Sequence, residues 1–437
     1  MTEKTNHFAG ASIYQINPRT FSREGTINAV TEELPKLRDL GFKFMYLCPV
    51  FREDDSTDRS FWSTRQKASN TDNPKNPYRM NDYFEIDEEY GTMEDLKRFV
   101  AESHKLGMKV ILDLVYLHIG PNAEILKTHP EFAARNEDGS VKLTKWNFPY
   151  LNFKSEGLRE YLYCNMVYYV GVIDADGFRC DVGDAVPIDF WQEGRRRICA
   201  IKPDAVMLNE GKKPGHFAAF DANYGFDWHH NIFKFLNGEF TAADIIENHQ
   251  SFASQTPEGK LWLRDIENHD LVTDWPYRIE GHYGHDAIEA ILALNYTVDG
   301  VPMVYCGNEI ADTANLSMFA NRFHMGAFSV TDRNACGAHV ERRKAVITAL
   351  NGIKESIAAL NEGTTKWHLT EYASILAFER VTEEETVSFI GNYSNNAAEL
   401  NIGELKELIL SNNAEICADT VKLGNFGYII YRGNIKK

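Results

Sequence analysis

From residue 12 to about residue 306, the chain alternates between two patterns of hydrophobic positions. Short, continuously apolar runs alternate with longer stretches in which apolar residues recur every three or four positions. The first pattern is typical of parallel strands that are buried on both faces, and the second is typical of one face of a helix. The sequence therefore predicts a succession of strand, helix, strand units.

Eight runs of the first kind occur, and we expect helices between them. The eight apolar runs cover residues 12–16, 42–48, 109–115, the segment around Arg179, 205–209, 220–224, 261–266 and 302–306. Thr92 and Asp95 form the pattern of a capping box, and Gly41 and Gly107 stand where helices end. Eight parallel strands with crossover helices predict a closed (β/α)₈ or TIM barrel of the α/β class.

Two later segments depart from this alternation. Residues 119–154 are rich in Pro, Asn and aromatic residues, and the end of the chain contains short β-type runs separated by turn residues. We therefore predict a short insertion after the third strand and a C-terminal antiparallel β domain. The predicted domains are residues 1–118 and 155–362 for the two parts of the barrel, 119–154 for the insertion and 363–437 for the β domain.

The charge of the chain restricts its partners. Lys and Arg number 46 against 63 for Asp and Glu, which gives a net charge of −17. Such a surface repels phosphate backbones, so we expect no nucleic-acid partner.

The N-terminus and the cysteines indicate a compartment. Residues 1–8 lack the apolar run of a secretory signal, and no stretch of about 18 apolar residues could span a bilayer. The seven cysteines are scattered, odd in number and form no Cys-x-x-Cys pair. We expect reduced thiols and a cytoplasmic protein without membrane contact, and the oligomeric state stays open.

The most informative short stretch is Asp-Gly-Phe-Arg-Cys-Asp at residues 176–181. In a strand, Arg179 and Asp181 point to the same side. The fixed positive charge is therefore expected to lower the pKa of Asp181 and keep it ionised, as a carboxylate nucleophile requires. A purely structural ion pair is the alternative interpretation of these six residues.

Polar residues also end several other predicted strands. They are Asp113 and His118 after the third strand, Glu210 after the fifth, and His269 and Asp270 after the seventh. In a (β/α)₈ barrel, the carboxyl ends of the strands carry the reactive groups. The sequence therefore predicts that three carboxylates from different strands converge at one barrel mouth.

Four blocks of residues in this order resemble the α-amylase family of glycoside hydrolases, family 13. They are Asp-Leu-Val-Tyr-Leu-His at 113–118, Gly-Phe-Arg-Cys-Asp at 177–181, Leu-Asn-Glu at 208–210 and Glu-Asn-His-Asp at 267–270. Matches around residues 78–92 and 300–309 support the resemblance, which covers about residues 8–310 and extends through the β domain.

The resemblance implies a retaining attack on an α-glycosidic bond. By it, Asp181 is the nucleophile, Glu210 is the proton donor and then the base, and Asp270 is the third carboxylate. It further implies that His118, His269, Arg179 and Tyr78 contact or orient the sugar or the nucleophile. Such a mechanism needs one ionised and one protonated carboxyl group, and neighbouring carboxylates should raise the pKa of Glu210.

Other residues near these blocks are candidates of a less specific kind. Asp113 is expected to order the loops of the site or to contact substrate. Trp62, Trp146 and Trp228 are candidates for stacking on sugar rings, with a place in the core as the alternative.

Two positions depart from the family pattern. Leu117 stands where the family carries a calcium-binding asparagine, and a hydrophobic side chain cannot supply an oxygen ligand. Asp184-Ala185 replaces a Lys-His pair that contacts the leaving-group sugars. We therefore assign no metal and no cofactor from the sequence.

Together these observations predict a retaining hydrolase of α-glucosidic bonds, with α-1,4-glucans or maltooligosaccharides as substrates. Transglycosylation and cleavage of a disaccharide by an α-glucosidase remain alternatives within the enzyme class. A non-catalytic carbohydrate-binding barrel is the alternative of another class.

Overall fold

The computed structural model describes residues 6–324 and 329–436. The strands are β1 (Ile13–Ile16), β2 (Phe44–Leu47), β3 (Phe51–Glu53), β4 (Met80–Ile86), β5 (Lys109–Leu114), β6 (Gly177–Cys180), β7 (Val206–Asn209), β8 (Ala222–Tyr224), β9 (Leu261–Arg264), β10 (Val301–Tyr305), β11 (Thr364–His368), β12 (Ile375–Val381), β13 (Thr386–Asn392), β14 (Ala398–Asn401), β15 (Leu405–Cys417) and β16 (Thr420–Gly433).

The helices are α1 (Pro18–Phe21), α2 (Ile27–Asp39), α3 (Thr64–Ala68), α4 (Met93–Lys105), α5 (Glu124–Thr128), α6 (Glu156–Gly171), α7 (Ile188–Cys199), α8 (Phe226–Leu236), α9 (Ala242–Ala253), α10 (His269–Asp274), α11 (Ile279–Tyr283), α12 (His285–Thr297), α13 (Ala338–Ser356) and α14 (Ala358–Glu362). Short 3₁₀ helices cover Arg59–Phe61, Pro130–Phe132, Gly183–Ala185, Pro214–Ala218 and Asn308–Ile310.

Eight of these strands close into a parallel barrel, which confirms the predicted fold class. Their order around the barrel is β1-β10-β9-β8-β7-β6-β5-β2. The prediction of an α-helix between β7 and β8 is wrong, because that short connection holds only the 3₁₀ helix Pro214–Ala218. The residues that follow the barrel strands therefore meet at one mouth.

The barrel strands read as continuously apolar because both of their faces are buried. Phe44 and Tyr46 of β2 belong to the cluster inside the barrel, whereas Met45 and Leu47 pack outward among the helices. The alternation of side chains along a strand thus fills two different cores.

Gly177 allows the strand with the central arginine to lie close to its neighbour. Its φ angle is +148°, and a Cβ atom there would lie 2.0 Å from the carbonyl oxygen of Val206. Only glycine accommodates both the backbone angle and the contact, so the start of β6 has a strict sequence requirement.

The predicted helix ends are confirmed. The Thr92 hydroxyl accepts a hydrogen bond from the Asp95 amide, and the Asp95 carboxylate accepts one from the Thr92 amide. Gly41 and Gly107 follow α2 and α4 with φ angles of +92° and +76°. These residues stop the helices just before β2 and β5.

The segment between β5 and α6 is short and folds over the mouth of the barrel. It contains α5, a 3₁₀ turn and isolated bridges such as His118 to Tyr150 and Leu143 to Pro149. A second small sheet pairs β3 with β4. The insertion supplies Trp146 and Phe148 to the wall of the pocket described below.

The C-terminal strands form an antiparallel sheet, as predicted, in the order β11-β12-β13-β16-β14, and β15 also pairs with β16. The sheet adjoins the barrel through α12, whose residues 287–297 are all buried. The Tyr393 hydroxyl donates to the carbonyl oxygen of Ala290 on that helix at 3.1 Å. The helix is therefore enclosed between the barrel and the sheet.

No helix within residues 6–324 and 329–436 has the length and apolar character that a bilayer crossing requires.

Candidate active site

A pocket at the carboxyl ends of the barrel strands encloses about 460 Å³ of empty space. Its walls come from the residues after β6, β7 and β9, from the insertion after β5, and from the loops after β2 and β10. The lining residues are Ser63, Arg65, Asn76, Tyr78, His118, Trp146, Phe148, Asp181, Val182, Glu210, His269, Asp270, Met318 and Phe319.

The Arg179 side chain, which is fully buried, lies at the centre of the acidic cluster. Its Nη1 atom lies 2.7 Å from Asp113 Oδ1 and 3.1 Å from Asp181 Oδ1. Its Nη2 atom lies 2.8 Å from Glu210 Oε1. One guanidinium therefore contacts carboxylates that come from three adjacent strands.

The backbone just after Asp181 is strained, and the strained residue donates a hydrogen bond to Glu210. Val182 has φ of 44° and ψ of 41°, a left-handed conformation that is rare for a β-branched residue. Its amide donates a 2.7 Å hydrogen bond to Glu210 Oε2. Strained backbone of this kind concentrates at functional sites, and here it fixes one carboxylate relative to the other.

Several polar atoms of the pocket are buried without a partner. Asp181 Oδ2 and His118 Nδ1 accept no hydrogen bond from any residue in the ranges 6–324 and 329–436. Buried polar atoms are normally satisfied, so an unsatisfied pair that lines a pocket points to a polar ligand.

The carboxylates of the cluster do not share one protonation state. Burial raises the pKa of Glu210 to about 7, while Arg179 opposes the shift. Burial and the charge of Glu210 also raise the pKa of Asp181 well above its usual value. Arg179 does lower the pKa of Asp181, but burial and the charge of Glu210 outweigh it, so the predicted net lowering of the Asp181 pKa is wrong.

The protonation of Glu210 and Asp181 depends on the repulsion between their negative charges. Glu210 and Asp181 oppose each other's ionisation, so the pair retains a proton near neutral pH. When Glu210 holds that proton, its charge no longer raises the pKa of Asp181, and Arg179 favours the ionised Asp181.

The two histidines of the pocket are neutral at pH 7. Burial lowers the pKa of His118 and of His269 to about 4. The Gln15 amide nitrogen lies 2.8 Å from His269 Nδ1, which places the proton of neutral His269 on Nε2. That Nε2 atom faces the Tyr78 hydroxyl at 2.7 Å, and the hydroxyl donates to Asp113 at 3.0 Å.

Asp270 has a different environment from the other carboxylates. Its Oδ1 atom lies 2.7 Å from Nη1 of Arg65, and its Oδ2 atom lies 3.5 Å from Nε2 of His269. Burial opposes ionisation of Asp270, but Arg65 and, in acid, the protonated form of His269 outweigh burial and lower the pKa of Asp270 far below its usual value. Asp270 is therefore ionised under conditions in which Glu210 is protonated.

Most of the predicted site residues line this pocket, but three do not, namely Arg179, Asp113 and Trp62. Asp113 is buried beneath it, where it accepts hydrogen bonds from Arg179, Tyr46 and Tyr78. Trp62 is 3% exposed, and its Nε1 atom donates to the carbonyl oxygen of Ser56.

Of the other two tryptophan candidates, one lines the pocket and one is buried in the core. Trp146 lines the pocket and lies 5.6 Å from the ring of His118. Trp228 is buried, and its Nε1 atom donates to the Asn295 side chain. Aromatic residues alone therefore did not distinguish a sugar platform from a core position.

Sequence reasoning missed Arg65, Phe148, Met318 and Phe319. Phe319 and Met318 belong to the loop after β10, and Arg65 belongs to α3 in the long polar loop after β2. The length of that polar loop was the only signal, because loops of this length inside compact domains are usually functional.

The two positions that depart from the family pattern have structural partners. Leu117 is 4% exposed and packs in the hydrophobic core. Asp184 Oδ2 accepts hydrogen bonds from the backbone amides of Lys212 and Lys213. Asp184 therefore holds the loop that follows Glu210.

A parallel barrel whose mouth holds a cluster of carboxylates around a buried arginine has the arrangement that a glycoside hydrolase requires. Comparison with known proteins agrees. Residues 7–142 match the family model described as "Alpha amylase, catalytic domain". The maltogenic α-amylase of Bacillus acidopullulyticus is 26% identical over 92% of this chain and 71% of that protein. A cyclomaltodextrinase of Geobacillus thermopakistaniensis is 25% identical over 93% of this chain and 70% of that protein. The chain is thus similar to glycoside hydrolases of the α-amylase family over most of its length.

Solved structures show the same fold. An α-amylase from Lactobacillus plantarum superimposes with a TM-score of 0.81 at 22% identity, covering 98% of this chain and all of that one. An α-amylase from Geobacillus thermoleovorans gives a TM-score of 0.78 at 20% identity, with both chains fully covered. The likeness extends through the C-terminal sheet.

Proposed function

We propose that this protein hydrolyses α-1,4-glucosidic bonds of maltooligosaccharides or α-glucans with retention of configuration. Asp181 acts as the nucleophile, Glu210 as the acid and then the base, and Asp270 binds sugar hydroxyls. The observation that carries the proposal is the contact of one guanidinium, that of Arg179, with both Asp181 and Glu210.

The first step forms a bond between a carboxylate oxygen of Asp181 and the anomeric carbon. The bond from that carbon to the glycosidic oxygen breaks, and Glu210 gives its proton to the departing oxygen. In the second step, Glu210 takes a proton from water, the water oxygen bonds to the anomeric carbon, and Asp181 is released. A Glu210 pKa of about 7 suits both duties near neutral pH.

The remaining pocket residues would bind the sugar. Neutral His118 has an unpartnered Nδ1 atom that can accept a hydroxyl proton, and Asp270 keeps its Oδ2 atom free of Arg65. Tyr78 and Trp146 offer aromatic faces to a pyranose ring.

The names of the relatives support an α-glucan substrate, since one is a maltogenic α-amylase and another is a cyclomaltodextrinase. Transfer of the glycosyl group to a second sugar uses the same residues, so product length at high sugar concentration distinguishes it from hydrolysis. A location in the cytoplasm is part of the proposal, and a 23% identical relative named intracellular maltogenic amylase, from Bacillus subtilis, supports it.

The test is product chromatography on maltotriose, maltose, trehalose, sucrose and isomaltose. We expect glucose or maltose from maltotriose with wild type, and loss of at least about 1,000-fold in kcat with Asp181→Asn. Asp204→Asn is the matched control, because Asp204 pairs with Lys109 at the opposite end of the barrel. A folded wild type that releases no product from any of these sugars would contradict the proposal in favour of a non-catalytic barrel.

A further inference from the structure

Arg65 occupies a fixed position on the wall of the pocket. It belongs to α3, and the helix is anchored by the buried Gln66 side chain, whose Nε2 atom donates to the carbonyl oxygens of Asn73, Pro74 and Lys75. The N-cap Ser63 hydroxyl accepts from the Gln66 amide at 3.1 Å. The short helix is thus held in place by its own loop.

All polar groups of Arg65 that make hydrogen bonds point to α10. Nη1 donates to Asp270 Oδ1 at 2.7 Å, Nη2 to the Asp270 carbonyl oxygen at 3.3 Å, and Nε to Asp274 Oδ1 at 2.5 Å. The guanidinium also lies 5.8 Å from the ring centre of Phe319. The arginine therefore clamps the start and the end of the one helix that carries Asp270.

The clamp leaves one oxygen of Asp270 for a ligand. Oδ1 is engaged by Arg65, while Oδ2 has only the 3.5 Å approach of His269. A charge-assisted hydrogen bond to one carboxylate oxygen fixes the direction of the other. Asp270 lines the same pocket as Asp181 and Glu210.

Arg65 also affects the protonation of Asp270, because it supplies a positive charge next to that carboxylate. The site holds four carboxylates and two arginines. Arg179 contacts Asp113, Asp181 and Glu210, and Arg65 contacts Asp270. Without Arg65, Asp270 would lose the arginine with which it forms an ion pair and would compete with Glu210 for a proton.

We propose that Arg65 is a positioning residue that keeps Asp270 ionised and aims its free oxygen at the sugar, so that the proton of the cluster stays on Glu210. The inference rests on the proposed function and adds a residue from a loop that none of the four sequence blocks includes. Loss of Arg65 should weaken sugar binding and shift the pH at which the site works.

The test compares Arg65→Ala, Arg65→Lys and the control Arg52→Ala, which removes an exposed ion pair between Arg52 of β3 and Glu85 of β4. We expect Arg65→Ala to lower kcat/KM on maltotriose by about 10- to 100-fold, the size of one charge-assisted hydrogen bond. Its acid limb should move towards neutral pH, because Asp270 then protonates more easily. Arg65→Lys should recover part of both effects. An Arg65→Ala variant within twofold of wild type, with an unchanged acid limb, would overturn the inference.

Calorimetric binding of maltotriose separates this inference from the function on which it rests. If wild type binds maltotriose without hydrolysing it and Arg65→Ala weakens that binding at least tenfold, the inference stands and the hydrolytic function fails. Equal binding by wild type and Arg65→Ala, or no binding by folded wild type, would overturn the inference. Thermal unfolding of each variant shows whether the fold is retained.

Discussion

The pKa of Glu210 predicts the alkaline side of the pH dependence. A group with a pKa of about 7 is about 90% protonated at pH 6 and about 1% protonated at pH 9. If Glu210 must donate a proton, kcat/KM on maltotriose should fall about 90-fold between these two values. A carboxyl group with the ordinary pKa of 4.5 would be only about 0.3% protonated at pH 7, so the shift supplies most of the acid form at neutral pH.

The assay measures initial rates at maltotriose concentrations far below KM, from pH 5 to pH 9 at constant ionic strength. α-Glucosyl fluoride serves as a second substrate, because fluoride departs without a proton from the enzyme and the decline at high pH should become shallower. Glu210→Gln should remove the decline and lower the rate on maltotriose far more than on the fluoride. A constant kcat/KM on maltotriose from pH 6 to pH 9, or an unchanged decline in Glu210→Gln, would refute the reasoning.

Two further predictions concern buried side chains. Trp62→Phe should leave KM unchanged and cost about 1 kcal/mol of stability, because the hydrogen bond to the Ser56 carbonyl is lost. Trp146→Ala should raise KM several-fold, because Trp146 lines the pocket. A larger rise in KM for the Trp62 variant would contradict the placement of Trp62 in the core and Trp146 in the pocket. Burial lowers the pKa of Lys354 to about 7, which corresponds to a cost of about 5 kcal/mol at or below pH 7. The unfolded chain binds the additional proton between pH 7 and 10.5, so wild-type stability rises with pH there. Lys354→Met should therefore raise Tm at pH 7 and lose this advantage towards pH 10, although it frees the Leu360 carbonyl; a variant less stable than wild type at pH 7 would contradict the reasoning.

The barrel could be predicted because burial on both faces leaves continuous apolar runs, and the glycines and caps mark where each helix ends. The carboxylates could be predicted because they directly follow those runs. β14 and β15 were not predicted, since much of each strand is exposed and its sequence is correspondingly polar.

Two features of the site depend on distances that no local pattern contains. Burial and Glu210 after the next strand raise the pKa of Asp181 and outweigh Arg179, which lies two residues away and lowers it. Arg65 and Asp270 are far apart in sequence, and their contact depends on the path of an irregular loop. Local spacing indicated which residues matter but not the balance of charge among them.

The buried helix α12 has a consequence for engineering of the chain. Every residue from 287 to 297 is buried, and part of that burial comes from the C-terminal sheet, to which the helix is bonded through Tyr393. Truncation before β11 would expose apolar surface on a helix that also supports β10. Such a shortened barrel should aggregate when produced, so the catalytic barrel and its sheet are a single unit for expression.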